Sequence, residues 1–338
     1  MYERLVANGV RWWTSPRFRP LIADGPFRDF DRACAEATLV KDLRSKRTLE
    51  MRSGAVTWII KLYKATSVWR RIAAAVGGSK ARRELAACRE VLKRGVPTVP
   101  VDAVAERSGG SAVVIEKLEG WTSVELALRG RLDDALIRRY GAFARRVHDA
   151  GILQDDFNPS NVLLNGNDMR LIDFERLAIR ASVSETARLR LIAKLVRLPT
   201  IGRQGLGPFL DGYLRAGEDR EATLARLLQC ADRQADIDRT RLARNCLREN
   251  RNFGRFDQGR YEGWFRKAQN GRDGLTAGQA SALADRPSDF RYEPHDDAFD
   301  AWRQANLGVL NGGAVPMAVL RERPGRRGFV AYRARRSH

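Results

Sequence analysis

Cysteine and histidine are scarce in this chain, with four and three copies in 338 residues. Cys34, Cys88, Cys230 and Cys246 lie far apart and form no CxxC pair, which argues against a zinc site; reduced thiols fit a cytosolic protein. Three histidines leave almost no material for a multi-histidine metal centre. Long apolar runs are missing too. None approaches the ~18 residues of a membrane span, and Met1 to Ala7 lacks the apolar core of a secretory signal. These absences lead to the expectation of a cytoplasmic protein.

Positive charge is what the chain has in excess. Lys and Arg number 61 against 41 Asp and Glu, a formal charge of +20. Such an excess points to an anionic partner, or to a surface solvated with arginine. No nucleic-acid reading motif occurs, so no nucleic acid is expected, and an acidic membrane or an acidic small substrate remains. Hydrophobic residues make up 43%, enough for a packed core. At about 150 residues per domain the length suggests roughly two domains.

The pattern along the chain is ordered. Residues 1–40 are mixed and carry an aromatic-basic patch from Arg11-Trp12-Trp13 to Arg19. Tryptophan and arginine suit a membrane interface, and they also suit packing against a neighbouring domain. Strands are expected at Thr48–Arg52 and Val56–Tyr63, then a helix near 80–94 stopped by Gly95-Val96-Pro97. Strands at Val99–Ala105 and Ala112–Leu118 follow. After Gly120 the periodicity becomes helical, around 122–129, 132–149, 184–198 and 206–232. It is interrupted by Val162-Leu163-Leu164, the turn Asn165-Gly166-Asn167 and Arg170-Leu171-Ile172, a hairpin signal.

Chemistry concentrates in His148 to Leu164 and Leu171 to Glu175. Asp156 lies five residues before Asn161, and Asp173 sits 17 positions after Asp156. This spacing resembles the catalytic loop and metal-binding strand of kinases. The resemblance makes Asp156 the base that orients the attacking hydroxyl, with Asn161 and Asp173 as magnesium ligands. Asp155 competes with Asp156, but only Asp156 keeps the five-residue step. Upstream, Trp58-Ile59-Ile60-Lys61 resembles the strand whose lysine reaches the α- and β-phosphates of ATP. Glu84, 23 residues on, is its expected partner, and Lys64 is the alternative lysine. Glu116, Lys117 and Leu118 fall where backbone groups would bind adenine.

The details resemble the lipopolysaccharide kinase family, which phosphorylates Kdo or heptose of the inner core. The residues that carry this are His148 to Ile152, Asp156-Phe157-Asn158 to Leu163, Leu171 to Glu175, and Phe209-Leu210-Asp211-Gly212-Tyr213. The resemblance implies ATP and Mg2+ as cofactors, an alcohol group as acceptor, and a peripheral place on the cytoplasmic face of the inner membrane. Two departures stand out. No glycine-rich loop occurs in the first hairpin, so Arg44, Lys46 or Arg47 would cover the phosphates. Gln154 replaces the family's histidine two residues before the catalytic aspartate. No Ala-Pro-Glu peptide platform follows Asp173, which counts against a protein Ser/Thr kinase. Retention of Lys61, Glu84, Asp156, Asn161 and Asp173 counts against a pseudokinase. Residues 176–203 carry seven cations and one acid, Glu185, a solvated face or a contact for an anionic leaflet or for the anionic glycolipid or sugar substrate that the resemblance implies.

The last hundred residues look like a second, degenerate copy of the first lobe. Residues 99–116 align with 315–332 at six identities in eighteen. Arg266 falls in the place of Lys61, and Asp300 opposite Glu84. The expected fold is α+β, a protein-kinase-like bilobal domain followed by a degenerate N-lobe-like module. Its expected divisions are an extension (1–40), an N-lobe (41–118), a C-lobe (119–235) and the repeat (241–338).

Overall fold

The structure, a computed structural model, describes residues 2–43, 45–64, 78–107, 110–130, 132–155, 157–198, 200–250, 252–258, 261–268, 274–285, 287, 290–309 and 314–333. The chain forms two compact units, Met1–Ala231 and Asp232–His338.

The first unit opens with strands β1 (Glu3–Ala7) and β2 (Val10–Thr14), then short helices α1 (Arg19–Ala23) and α2 (Phe30–Glu36). Strands β3 (Thr38–Leu43), β4 (Lys46–Ser53) and β5 (Val56–Lys64) follow, then helix α3 (Lys80–Lys93) and strands β6 (Ala103–Arg107) and β7 (Gly110–Glu116). Together they make one seven-stranded sheet in the order β1-β2-β6-β7-β5-β4-β3. Residues 1–40 are therefore no separate extension: β2 pairs along β6 and lengthens the sheet. The aromatic-basic patch packs within this unit. Trp12 is buried with Phe18, Phe27, Phe30 and Trp58 on one sheet face, in tilted and edge-on contacts. Trp13 lies under the Arg82 guanidinium at 4.6 Å.

Helix α3 covers the other face. Ser79 caps it by accepting from the Arg82 N–H at 3.2 Å. Ala81, Leu85, Cys88 and Val91 form its buried stripe, and Glu84 stands inside that stripe. The helix ends at Gly95, whose φ of +70° only glycine adopts cheaply.

The mostly helical part begins with β8 (Thr122–Ser123), α4 (Val124–Ala127) and α5 (Asp134–Asp149). Strands β9 (Ile152–Gln154), β10 (Val162–Asn165), β11 (Asp168–Leu171) and β12 (Leu177–Ile179) form two small sheets, β11-β10-β8 and β12-β9. Helices α6 (Glu185–Ile192), α7 (Leu206–Tyr213) and the start of α8 (Arg220–Asn245) complete the unit. Leu136, Ile137, Tyr140, Ala144 and Val147 give α5 its buried face. It crosses α7 closely because Gly141 and Gly212 face backbone: a methyl group on either would strike the carbonyl of Phe209 or Arg138.

The second unit contains β13 (Phe253–Gln258), β14 (Tyr261–Arg266), α9 (Ala277–Ala282), β15 (Phe290–His295), α10 (Ala298–Val309), β16 (Pro316–Glu322) and β17 (Gly328–Arg333). Its five-stranded sheet runs β13-β14-β16-β17-β15. Element types follow the 99–116 correspondence, since β6 and β7 match β16 and β17. Strand order does not. In the first unit β5 pairs with β7, whereas here β14 pairs with β16 and β15 occupies the edge beyond β17. Identities within a hairpin do not encode which of its strands enters the sheet centre. Asp300 is also not the partner of Arg266. It lies near Arg303 on its own helix, and Arg266 bonds Asn306 instead.

Candidate active site

Lys61 lies near the middle of β5, paired with Thr48 on one side and Val113 on the other. Its ammonium donates to Glu84 Oε1 at 2.8 Å and stands 3.6 Å from Asp173 Oδ1. Three residues from a strand, a helix and a loop thus meet at one point. Burial alone would lower the Lys61 pKa, but Glu84 and Asp173 outweigh it and hold the ammonium above its ordinary value. Lys64, the alternative lysine, pairs with Asp42 at 3.2 Å.

Lys46, at the start of β4, reaches the same place. It is ion-paired with Glu175 and lies 3.8 Å from Asp173 Oδ2. Tyr63, two residues after Lys61 and so on the same strand face, donates to Glu84; its hydroxyl is also 3.2 Å from Glu175. Reading the lysine and the aspartate motifs separately missed Tyr63 and the part of Glu175. The period-two step from Lys61 and the Asp-Phe-Glu run were the available signals.

Asp173 follows β11 with φ of +66°, a left-handed conformation that aspartate tolerates better than most residues. Burial raises its carboxyl, but Lys61 and Lys46 outweigh that and keep it below the usual range. Gln154 is 1% exposed and donates from Nε2 to the carbonyls of Ile172, at 3.0 Å, and of Asp173. The glutamine thus braces the turn from below. The Asn161 carbonyl accepts from the Ile172 N–H at 2.9 Å, which ties the two candidate metal residues through the backbone.

Asp156 and Arg44 lie outside the described residues. The loop around Asp156 is nevertheless fixed on both sides. Phe157 is buried, stacked on Tyr140 at 5.5 Å and against His148 at 5.7 Å. Asn158 caps a single 3-10 turn, Pro159–Asn161, by accepting from Ser160 N. His148 faces Tyr213 Oη at 2.8 Å and is a packing residue; burial, helped by Arg188, pushes its pKa down to about 4.

At the end of β7, the Glu116 carboxylate bonds Arg17 at 2.7 Å and its N–H goes to Asp102. The Lys117 N–H is spent on the Thr57 carbonyl at 2.8 Å. The Leu118 N–H has no partner among the described residues, which suits a nucleobase acceptor.

A model of the lipopolysaccharide kinase (Kdo/WaaP) family matches residues 33–213, more than half of the chain. The chain belongs to this family. Its fold is the α+β, protein-kinase-like fold expected from the order of elements. Curated relatives include 3-deoxy-D-manno-octulosonic acid kinases of Xylella fastidiosa. The protein of strain M12 is 34% identical over 128 residues, 36% of this chain and 51% of that protein. That of strain 9a5c is 33% identical over the same shares. The chain spans about half the length of the curated relatives it matches. Among solved structures, WaaP in complex with acyl carrier protein has a TM-score of 0.48 at 20% identity, over 68% of this chain and 98% of that one. Gln154 stands where the sequence resemblance implies a histidine, and it supplies a hydrogen-bond donor there. No described helix is long and apolar enough to cross a membrane.

Proposed function

We propose that this member of the lipopolysaccharide kinase family is an ATP-dependent kinase acting on a sugar hydroxyl, Kdo or heptose, of the inner core. The observation that carries the reading is the meeting of Lys61, Glu84 and Asp173, with 2.8 Å and 3.6 Å separations, beside the catalytic-loop sequence. Glu84, 1% exposed, fixes the ammonium so that it can hold α- and β-phosphate oxygens. Leu118 N–H and the Glu116 carbonyl offer adenine a donor and an acceptor.

Magnesium fits the donor set. Asp173 and Asn161 are hard oxygen ligands, the kind Mg2+ takes alongside phosphates. The local charge also fits. Lys46 and Lys61 face Glu84, Asp173 and Glu175, so two cations meet three carboxylates and one negative charge is left over among these groups. When bound, the ion neutralises charge on the transferring phosphoryl group. Asp156 accepts the proton of the sugar hydroxyl. The sugar oxygen bonds the γ-phosphorus, the bond from that phosphorus to the β,γ-bridging oxygen breaks, and ADP leaves. Lys46, held by Glu175, takes the phosphate-covering role that a glycine-rich loop would otherwise fill.

Phosphorylation of a Kdo glycoside by wild type, Asp156→Ala and Asp173→Ala tests this reading. Asp156→Ala should lose turnover by at least about 100-fold with Mg-ATP affinity intact, because the base contributes little to nucleotide binding. Asp173→Ala should lose both, and Asp155→Ala should stay active. Comparable turnover in Asp156→Ala would sink the assignment. Mass spectrometry of lipopolysaccharide from a strain lacking the gene should show one core phosphate missing.

The cationic stretch 176–203 is not uniformly a surface. Arg188 is tied to Asp149 at 3.3 Å and so serves the fold, whereas Arg190 is exposed. Contact of its exposed members with an anionic leaflet, on the cytoplasmic face of the inner membrane, belongs to the same proposal.

A further inference from the structure

Tyr63 is two residues beyond Lys61 on β5, so its side chain leaves the sheet on the same face. Its backbone pairs with Lys46 of β4 and Ser111 of β7. The ring is buried and lies under the Lys80 ammonium at 5.6 Å. Lys80 and Glu84 are four residues apart and so are neighbours on one face of α3. The tyrosine therefore touches the helix at two points one turn apart, with its ring at the first and its hydroxyl at the second.

The hydroxyl also closes a circuit. Glu84 spends Oε1 on Lys61, at 2.8 Å, and its other oxygen, Oε2, accepts from Tyr63. The Tyr63 hydroxyl lies 3.2 Å from Glu175, which pairs with Lys46. Lys46 stands 3.8 Å from Asp173 Oδ2, and Lys61 stands 3.6 Å from Asp173 Oδ1. Six side chains from β4, β5, α3 and the turn after β11 thus form one ring. A hydroxyl has a single proton to give. Lys46 supplies the positive charge at Glu175, so that proton can be spent on Glu84. Burial, with Glu84 and Glu175 beside it, pushes the hydroxyl's pKa up and keeps the proton in place.

A glutamate carboxylate turns easily about its last torsion, whose preferences are broad. Held by one oxygen it can swing; held by both it has one orientation, and so has the ammonium it positions. We propose, on the kinase reading above, that Tyr63 is a positioning residue: it fixes Glu84 and through Glu84 aims the Lys61 ammonium at the nucleotide. The lysine–glutamate pair is then set before ATP arrives, by a tyrosine outside the lysine motif.

The test measures Mg-ATP affinity of the full chain by calorimetric titration, with steady-state kinetics and melting curves beside it. Tyr63→Phe removes the hydroxyl and keeps the ring with its Lys80 contact. It should weaken Mg-ATP affinity and raise KM for ATP by roughly 10-fold, the low end of what a hydrogen bond to a charged group is worth. KM for the sugar acceptor should stay within about two-fold, because Lys61 serves the phosphates and not the sugar. In a Lys61→Met background the same change should alter Mg-ATP affinity by less than about two-fold, since a residue that acts through the ammonium then has nothing to aim. Equal losses in the two backgrounds would overturn the proposal. So would unchanged Mg-ATP affinity in Tyr63→Phe, whatever its melting temperature, because a hydroxyl that only packs the core moves stability alone. Hydrogen exchange on the wild type needs no variant. Protection of the amides of 80–88 should change by less than about two-fold when Mg-ATP binds, since Glu84 is already held. A large rise there would mean that the nucleotide sets Glu84, and would overturn the proposal as well. A wild type that does not bind Mg-ATP would remove the kinase reading and this inference with it.

Discussion

Each unit of the chain places a cation on a central strand and a polar partner on a helix, but the two pairs are built differently. In the first, Lys61 meets Glu84 and then Asp173, a second carboxylate. In the second, Arg266 meets the amide oxygen of Asn306, which is fully buried. A neutral amide satisfies a guanidinium donor but brings no negative charge that could hold a metal ion. A pair of carboxylates around a lysine leaves negative charge over, which an incoming cation can use. The comparison separates a cluster with negative charge to spare from a polar bridge with none.

The sharpest way to break this comparison is to remove each cation in turn. Lys61→Met should cut phosphoryl transfer by about 100-fold or more, the usual cost of losing a preorganised charge contact to a transition state. Arg266→Met should leave turnover within about two-fold. Steady-state assays on both variants, with melting curves beside them, check this. A large loss of turnover in a well-folded Arg266→Met protein would mean that the second unit contributes to the chemistry.

A smaller difference concerns acid. His148 in the first unit has its pKa pushed down to about 4 by burial, against an ordinary 6.5. Below pH 6.5 the unfolded chain takes up a proton that the folded unit refuses until about pH 4. The stability it contributes is complete above 6.5 and falls across that window, by about 3 kcal/mol in all. In the second unit, Arg323 and Arg321 bring the Glu262 carboxyl down to about 2, from 4.5. Its contribution is complete above 4.5 and is lost only as pH falls towards 2. Hydrogen exchange at pH 7.5 and pH 5.0 should therefore show protection falling in 1–231 and holding in 253–333. Uniform loss in both would remove the distinction. His148→Gln should flatten the response of the first unit between these pH values.

Much of the first unit was legible in the sequence because its signals are local. Gly95 after an amphipathic stretch marks the end of α3, and the Asn165-Gly166 step marks the β10–β11 hairpin. Glu84 could be picked out as a carboxylate inside an apolar stripe. What was not legible depends on distant pairing. Nothing in residues 1–14 states that β2 will lie along β6, because a strand's alternation fits any edge. Nor does a Gln at position 154 announce two carbonyls 18 and 19 residues away. The eighteen-residue likeness between the units misled for the same reason: it describes a hairpin, and strand order is decided by what the hairpin is placed beside.

The smallest expected effect lies in the Arg266–Asn306 bridge. Asn306 donates from Nδ2 to the Trp302 carbonyl at 2.9 Å and accepts from Arg266 on its oxygen. Arg266→Met alone strips that bond from a fully buried oxygen. The penalty for such a group is about 1–3 kcal/mol, more than the net value of the bond itself. Arg266→Met with Asn306→Leu removes the donor and acceptor together and fills the space with apolar atoms, so it should recover most of the loss. The same manoeuvre in the first unit, Lys61→Met with Glu84→Leu, should not recover function, since the phosphates then lack the Lys61 ammonium. Denaturant titrations of the single and double variants in the second unit measure the first half, and assays of the first-unit double variant measure the other. If the Arg266→Met/Asn306→Leu protein is as unstable as Arg266→Met alone, the bridge is more than hydrogen-bond satisfaction. The lost cation–π contact of Arg266 with Phe253, 5.3 Å from ring centre to guanidinium, would then be the next contact to test.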